Sequence, residues 1–317
     1  MNNPEIKKVA EEKIILKEKI KVGLIIFSLY AFFAFFYPSL ASASIEKLEL
    51  QARSGDIFEL RFRQLQPGEP LMLIWSEKKS SEVEVSFLSN FYRLGNTPQK
   101  SQFLILGIDL ATAPGFQELE ILIKGKNREP EKLKYSLEIK PRAFPQKKLT
   151  VDQKYVTPPL EVQERIKREA EILAHIYSLV TPDWLAQGSF IMPCEGKIFP
   201  NFGQRRIYNN VPRSIHSGVD IAVPAGQPIK AANSGRVVLA SSLYFSGKTV
   251  IIDHGLGLFS LYCHLSKITV KRGEEVTKGE LIGLAGSTGL STGPHLHWAI
   301  KIKEARIDPL ALLELSF

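Results

Sequence analysis

From residue 45 to residue 143 apolar and polar side chains alternate almost one for one, and no other feature limits the fold of this chain so tightly. In "DIFELRFR", Phe58, Leu60 and Phe62 alternate with Glu59, Arg61 and Arg63. "EVEVSF" sets Val83, Val85 and Phe87 against Glu82, Glu84 and Ser86, and "KLKYSLEI" does the same with Leu133, Tyr135, Leu137 and Ile139. A period of two sends successive side chains to opposite faces of a strand, so each segment has one face to bury and one to leave wet. With "PLMLIW", "QFLILGI" and "ELEILIK" this makes about seven short strands, separated by turn signals such as "QPGEP" and "TAPGF". The pattern predicts an all-β module over residues 44–143, a small β-sandwich of immunoglobulin-like character. It contains no histidine, cysteine or carboxylate cluster that marks a reaction centre, which points to a positioning or binding module.

At 317 residues the chain is long enough for a second domain with its own core. Hydrophobic residues at 44% and charged residues at 23% are ordinary for globular protein. The net charge of +8 favours acidic surroundings, such as phospholipid or an anionic wall polymer. No Lys/Arg run is interleaved with aromatics after residue 45, so nucleic acid is not an expected partner.

Residues 1–43 read as a targeting segment. Lys7, Lys8, Lys13, Lys17, Lys19 and Lys21 precede an apolar run from Val22 to Tyr37, and "PSLASAS" then offers Ala41 and Ala43 in an A-x-A arrangement. The run falls short of the ~20 residues that span a bilayer comfortably. A signal peptide cleaved after Ala43 is expected, with an uncleaved N-terminal anchor as the alternative. Either way the remainder works outside the cytoplasm, in the periplasm or cell envelope, and touches membrane only if that segment stays attached.

Residues 144–190 read as a linker and a helix. "KPRAFPQKKLTVDQKYVTPPLE" is rich in Pro and Lys, and Val162, Ile166, Leu173, Ile176 and Val180 then recur at helical spacing. Pro158 and Pro159 stand where a helix start tolerates them, and Pro182 limits the end. His175 lies in this helix without a partner motif, which marks a surface or packed histidine.

The other five of the six histidines fall in the C-terminal third. In "TGPHLHWAI" a strand puts His295 and His297 on one face with Ala299, and Leu296, Trp298, Ile300 and Ile302 on the other. "IHSGVDIAV" adds His216 and Asp220. Four extended residue steps span about 13 Å, so a bend at Ser217-Gly218 is needed for those two to share an ion. "LYCHLS" adds His264. Catalytic zinc commonly takes three imidazole or carboxylate ligands and keeps one position open, so five such residues suffice for three ligands and two proton-handling groups. Cys194 and Cys263 are too few for a disulfide scaffold, and buried, inert thiols are expected.

"HSGVD", "YCHL" and "TGPHLHW" occur in the order of the H-x-x-x-D, Y-x-H-L and H-x-H signatures, and this stretch resembles the lysostaphin/LytM-type zinc endopeptidases from about Ile191 to Leu313. "FPNFGQRR", "VDIAVPAGQPIKAANSGRVV" and "VTKGELIGLAGSTG" extend the resemblance. It implies a compact antiparallel β peptidase domain over residues 191–317. It also implies one zinc ion per chain held by His216, Asp220 and His297, with His264 and His295 as the catalytic pair. His254 also falls on a family histidine position and is expected to be structural or to line the cleft. The implied activity is hydrolysis of peptide cross-links of cell-wall peptidoglycan by a metal-activated water, with peptidoglycan peptide as the partner. The alternatives are a non-enzymatic envelope module that binds peptidoglycan and activates another hydrolase, and a biotinyl/lipoyl-like carrier suggested by "VKRGEEVTKGELIGLAG". The intact set of five residues and the export segment argue against both. Oligomeric state has no sequence signal.

Overall fold

A computed structural model describes residues 44–77, 80, 82–96, 102–125 and 128–315; the expected targeting segment, 1–43, lies outside the described residues. Among the described residues no helix is long and apolar enough to cross a membrane.

The alternating segments form two antiparallel sheets. One runs in the order Glu46–Gln51, Ile57–Phe62, Pro70–Glu77, Gln102–Gly107, Gly95–Asn96. The other runs Asn90–Arg93, Glu82–Phe87, Gly115–Gly125, Arg128–Ile139. The apolar face is the one the period predicts: Phe58, Leu60, Phe62, Val83, Val85 and Phe87 are all buried. Leu137 and Ile139 are buried as well, while Leu133 and Tyr135 pack partly covered at the rim. Nine strands are described here: the six quoted segments, Glu46–Gln51, and the short "NFYR" and "GN", which pair without carrying a period.

The C-terminal part is built on an eight-stranded antiparallel sheet. Its order is Lys197–Phe199, Gly218–Ala222, His295–Ile302, Leu258–Leu265, Gly247–Asp253, Gly235–Leu243, Glu275–Val276, and Ala305–Ile307 also pairs with His295–Ile302. The strand His295–Ile302 is central, and its Leu296, Trp298, Ile300 and Ile302 are fully buried. Two smaller three-stranded sheets flank it, one of Gln146–Leu149, Arg205–Tyr208 and Val211–Ile215, the other of Pro228–Lys230, Leu281–Leu284 and Lys267–Ile268.

The Pro/Lys-rich connection is therefore partly structured. Gln146–Leu149 pairs in parallel with Arg205–Tyr208, and the helix Leu160–Ser178 follows. Pro159 stands at the helix N-cap, and the chain leaves helical geometry at Leu179, so Val180 lies beyond the helix and is exposed. Ile176 and Tyr177 are the buried helix residues, packing against Leu239, Ile251 and Phe259 of the large sheet.

The sandwich and the large sheet share a continuous apolar core. Around it, Arg306 grips Asp109 with Nε at 2.9 Å and Nη2 at 2.6 Å, and Arg142 reaches Asp308 at 2.6 Å. Gly107 approaches so closely that a Cβ there would lie 2.8 Å from the Ala305 Cβ.

Candidate metal centre and cleft

Strand register brings the first two site residues together. Asp220 and His297 are direct partners in the pair Gly218–Ala222 with His295–Ile302, so their side chains leave the same face side by side. Gly218 makes that pairing possible, because a Cβ there would meet the Trp298 carbonyl oxygen at 2.3 Å and His297 Cε1 at 2.9 Å. His216 stands just before this strand. The chain leaves strand geometry at His216 and Ser217, and that break folds His216 back over Asp220.

Three atoms converge as a result. His216 Nε2 lies 3.0 Å from Asp220 Oδ1 and 2.8 Å from His297 Nδ1, and His297 Nδ1 lies 3.0 Å from Asp220 Oδ1. Hydrogen bonds cannot satisfy all three. His216 Nδ1 sits 2.9 Å from the Asn201 carbonyl, so Nδ1 carries the proton and Nε2 presents a lone pair. Burial pushes the His216 pKa down to about 4, outweighing the Asp220 carboxylate that raises it. Asp220 Oδ1 is also an acceptor, so two lone pairs face each other with one proton at most between the three atoms. A small cation with ligand distances of about 2.0–2.2 Å satisfies all of them at once. His216, Asp220 and His297 form a group that can hold a metal ion.

The surroundings fix this set. Asp220 Oδ2 accepts from Asn201 Nδ2 at 2.8 Å and from Arg206 Nη2 at 2.7 Å, leaving Oδ1 for the cluster. Asn201 also accepts from the Asp220 amide through Oδ1 at 3.1 Å. One asparagine thus orients two of the three groups. Burial alone would raise the Asp220 carboxyl, but the imidazoles of His216 and His297 packed against it hold it far below the usual range.

His264 and His295 flank the cluster, their rings 4.8 Å apart. His264 Nδ1 donates to the Thr288 carbonyl at 2.8 Å, and His295 Nδ1 donates to the Gly293 carbonyl at 2.8 Å. Both rings are thereby held with Nε2 free, and His295 Nε2 lies 3.8 Å from Asp220 Oδ1. His264 occupies a β-bulge, where Lys248 pairs with Leu265 but Val250 pairs with Tyr262, and it has φ +61. A left-handed non-glycine residue costs free energy, and here the kink turns the imidazole toward His295 while Cys263 stays buried. Burial pushes the His264 pKa down to about 3, aided by the two neighbouring imidazoles.

A cleft of about 560 Å³ opens beside Asp220 and His295. Ser291, Thr292, Gly293 and Pro294 line one side. Lys147 and Leu149 line another, a contribution from the connecting segment that has no motif to announce it.

The remaining expectations separate cleanly. His175 is exposed on its helix and is not one of the residues that converge on the cluster. His254 is fully buried, donating from Nδ1 to the Ser234 carbonyl at 2.7 Å and accepting from Ser260 Oγ at 2.7 Å, so it is a structural histidine that does not line the cleft. Cys194 and Cys263 are free, buried thiols, with pKa values pushed by burial to about 11 and about 12. Asn201 and Arg206 lie inside "FPNFGQRR", fifteen and ten residues ahead of His216, and nothing in that stretch alone assigns them a role.

Residues 214–309 match Peptidase family M23. Over 115 residues the chain is 41% identical to the peptidoglycan DD-endopeptidase ShyA of Vibrio cholerae serotype O1, covering 36% of this chain and 27% of that protein. Over 98 residues it is 39% identical to the DD-carboxypeptidase/endopeptidase Mpg of Neisseria meningitidis serogroup B, covering 31% of this chain and 23% of that protein. The chain thus spans about a quarter of the length of these curated relatives. A crystal structure from Pseudomonas aeruginosa assigned to peptidase M23 aligns over 79% of this chain and 96% of its own, with TM-score 0.61 and 29% identity. That coverage carries the likeness past the matched residues into the connecting segment and sandwich. Residues 214–309 of this chain are a Peptidase family M23 domain.

Proposed function

We propose that the chain is a zinc-dependent endopeptidase that hydrolyses peptide cross-links of peptidoglycan in the cell envelope. The observation that carries this reading is the convergence of His216 Nε2, Asp220 Oδ1 and His297 Nδ1 on one point, with two further imidazoles beside it. Two nitrogens and one carboxylate oxygen are a donor set that zinc favours, with a position left for substrate. One ion per chain, held by His216, Asp220 and His297, would supply Lewis acidity and water activation near neutral pH.

The chain's own residues then do the rest. His264 and His295 are each held through Nδ1 by a backbone carbonyl, which leaves Nε2 as the nitrogen that can take the proton of the attacking water and return it to the departing amine. A protonated ring at the same place can hold the developing oxyanion. The Ser291–Pro294 wall offers backbone groups to an extended peptide. The relatives named as DD-endopeptidases support a D,D cross-link as the bond cut. In this reading 191–317 is the peptidase domain, 44–143 a positioning module joined through 144–190, and 1–43 a signal peptide or anchor that delivers the chain to the periplasm. None of His216, Asp220, His264, His295 and His297 is lost from the motifs, which disfavours a non-enzymatic envelope module.

The test is digestion of purified sacculi by metal-loaded protein, with muropeptides resolved by mass spectrometry. Cross-linked dimers should fall and monomers rise, and a chelator should stop the change. Released sugars with intact cross-links, or no change in a zinc-replete preparation, would overturn the reading.

A further inference from the structure

Lys147 and Arg206 are register partners in the parallel pair Gln146–Leu149 with Arg205–Tyr208. Both line the cleft beside Asp220, as do Leu149 and Tyr208 two residues on, which identifies the face of this sheet that looks into the cleft. The two cations are not equivalent. Arg206 is committed to Asp220 through Nη2 at 2.7 Å. Lys147 is exposed and has no ion-pair or hydrogen-bond partner among the described residues.

Nothing acidic in the cleft is left to answer that ammonium. Asp220 is the one carboxylate among the described lining residues, and it is engaged by Asn201, Arg206, His216 and His297. The wall therefore presents an uncompensated positive charge to whatever occupies the cleft. Its backbone is tied down by the parallel pairing, so the ammonium reaches into the cleft from a fixed root. Neighbouring strands lie about 4.8 Å apart, which sets Lys147 one strand outward from the arginine that touches the metal cluster. That is a spacing of roughly one to two residues along a bound extended peptide.

We propose that Lys147 is a substrate-specificity residue, its ammonium binding a carboxylate of an acidic peptide laid along the wall formed by Gln146–Leu149 and Arg205–Tyr208. The proposal rests on the peptidase reading above and adds the charge class of the substrate. The connecting segment then belongs to the binding site, with the sequence before residue 150 selecting what the histidines cut.

Two measurements on the full zinc-loaded chain test it. The first is binding of a short D-amino-acid peptide with free carboxylates and of the same peptide amidated, by calorimetry, to wild type, Lys147→Gln, Lys147→Glu and Lys147→Arg. Wild type should prefer the free acid about fivefold, the size of one exposed charged contact. Lys147→Gln should lose that preference, Lys147→Glu should reverse it, and Lys147→Arg should keep it, all at unchanged zinc content. The second is hydrolysis of cross-linked muropeptides, where Lys147→Gln should raise KM for the free acid and leave kcat and the amidated substrate alone. Equal affinity of wild type and Lys147→Gln for the free acid would overturn the proposal. Lys147-dependent binding without hydrolysis would uphold the subsite and overturn the peptidase reading; hydrolysis indifferent to Lys147 would do the reverse.

Discussion

His216 Nε2 lies 2.8 Å from His297 Nδ1, and each lies 3.0 Å from the same oxygen of Asp220. The two imidazoles meet through different ring atoms because they arrive differently. His297 projects from a central strand as the register partner of Asp220, whereas His216 hangs from a break in the chain and is turned by the Asn201 carbonyl at its Nδ1. Removing either nitrogen leaves a bidentate site, while removing His295 leaves all three donor atoms. His297→Ala should therefore lose zinc, and His295→Ala should keep zinc and lose activity. Metal content per chain, measured beside activity on sacculi, checks both, and native zinc affinity in His297→Ala would sink the ligand assignment.

Asn201 carries a prediction of its own. It donates to Asp220 Oδ2, accepts from the Asp220 amide, and receives the His216 Nδ1 proton on its carbonyl. Side-chain loss in Asn201→Ala removes the first two contacts and spares the third. Groups that orient metal ligands typically contribute about 10- to 100-fold in affinity. A competition titration with a zinc chelator should place Asn201→Ala in that range, weaker than wild type but tighter than His297→Ala.

The histidine pattern was legible in the sequence because ligand chemistry and strand period act on neighbouring residues. His295 and His297 share a face by counting alone, and Leu296, Trp298, Ile300 and Ile302 bury on the other. The sandwich was legible for the same reason, in Phe58, Leu60, Val83 and Val85. What stayed hidden depends on long-range pairing with no local signature. "QKKL" has no apolar alternation, yet Gln146–Leu149 becomes a strand because Arg205–Tyr208, some sixty residues later, supplies a parallel edge. The turn of His264 toward His295 was hidden too, since a one-residue bulge against Thr249 shifts the side-chain direction without altering the "YCHL" motif.

Gly218 sits where two strands need close approach at the site. A methyl group there would lie 2.3 Å from the Trp298 carbonyl oxygen, which is backbone of a central strand and cannot swing aside. Gly218→Ala should destabilise the fold by about 1–3 kcal/mol or more and loosen the Asp220–His297 pairing. Urea unfolding gives the first quantity and zinc affinity the second. An unchanged midpoint would mean that the strands part more easily than their register indicates.

Arg306 holds Asp109 by two side-chain bonds and its own amide, at 2.9, 2.6 and 2.9 Å, between the sandwich and the large sheet. Burial raises the Asp109 pKa, but the guanidinium outweighs it and the net shift is downward. Arg306→Ala would leave a half-buried carboxylate with its partner gone, which costs about 1–3 kcal/mol. Asp109→Asn, which keeps one of the two acceptor oxygens and leaves no unpaired carboxylate, should cost less. Thermal unfolding of the two variants ranks them, and equal losses would show that neither the retained oxygen nor the stranded carboxylate matters to the joint.

Acid should unfold this protein through histidines that are buried neutral, and His254 isolates the effect because it lies away from the metal cluster. Burial pushes its pKa down to about 4, against about 6.5 in an unfolded chain. Between those values the unfolded chain binds a proton that the folded chain refuses, so stability rises with pH through that window and is lost as pH falls from about 6.5 toward 4. The whole gap corresponds to a loss on the order of 3 kcal/mol from this residue. His254→Gln cannot titrate but can still donate to the Ser234 carbonyl, the bond that anchors the imidazole at 2.7 Å. Its urea midpoint should therefore differ less between pH 7 and pH 4.5 than that of wild type, whatever the substitution costs at pH 7. The comparison is best made on chelator-treated protein, where proton-driven release of metal does not add to the slope. Identical pH dependence in the two proteins would mean that the buried imidazole is protonated in the folded state.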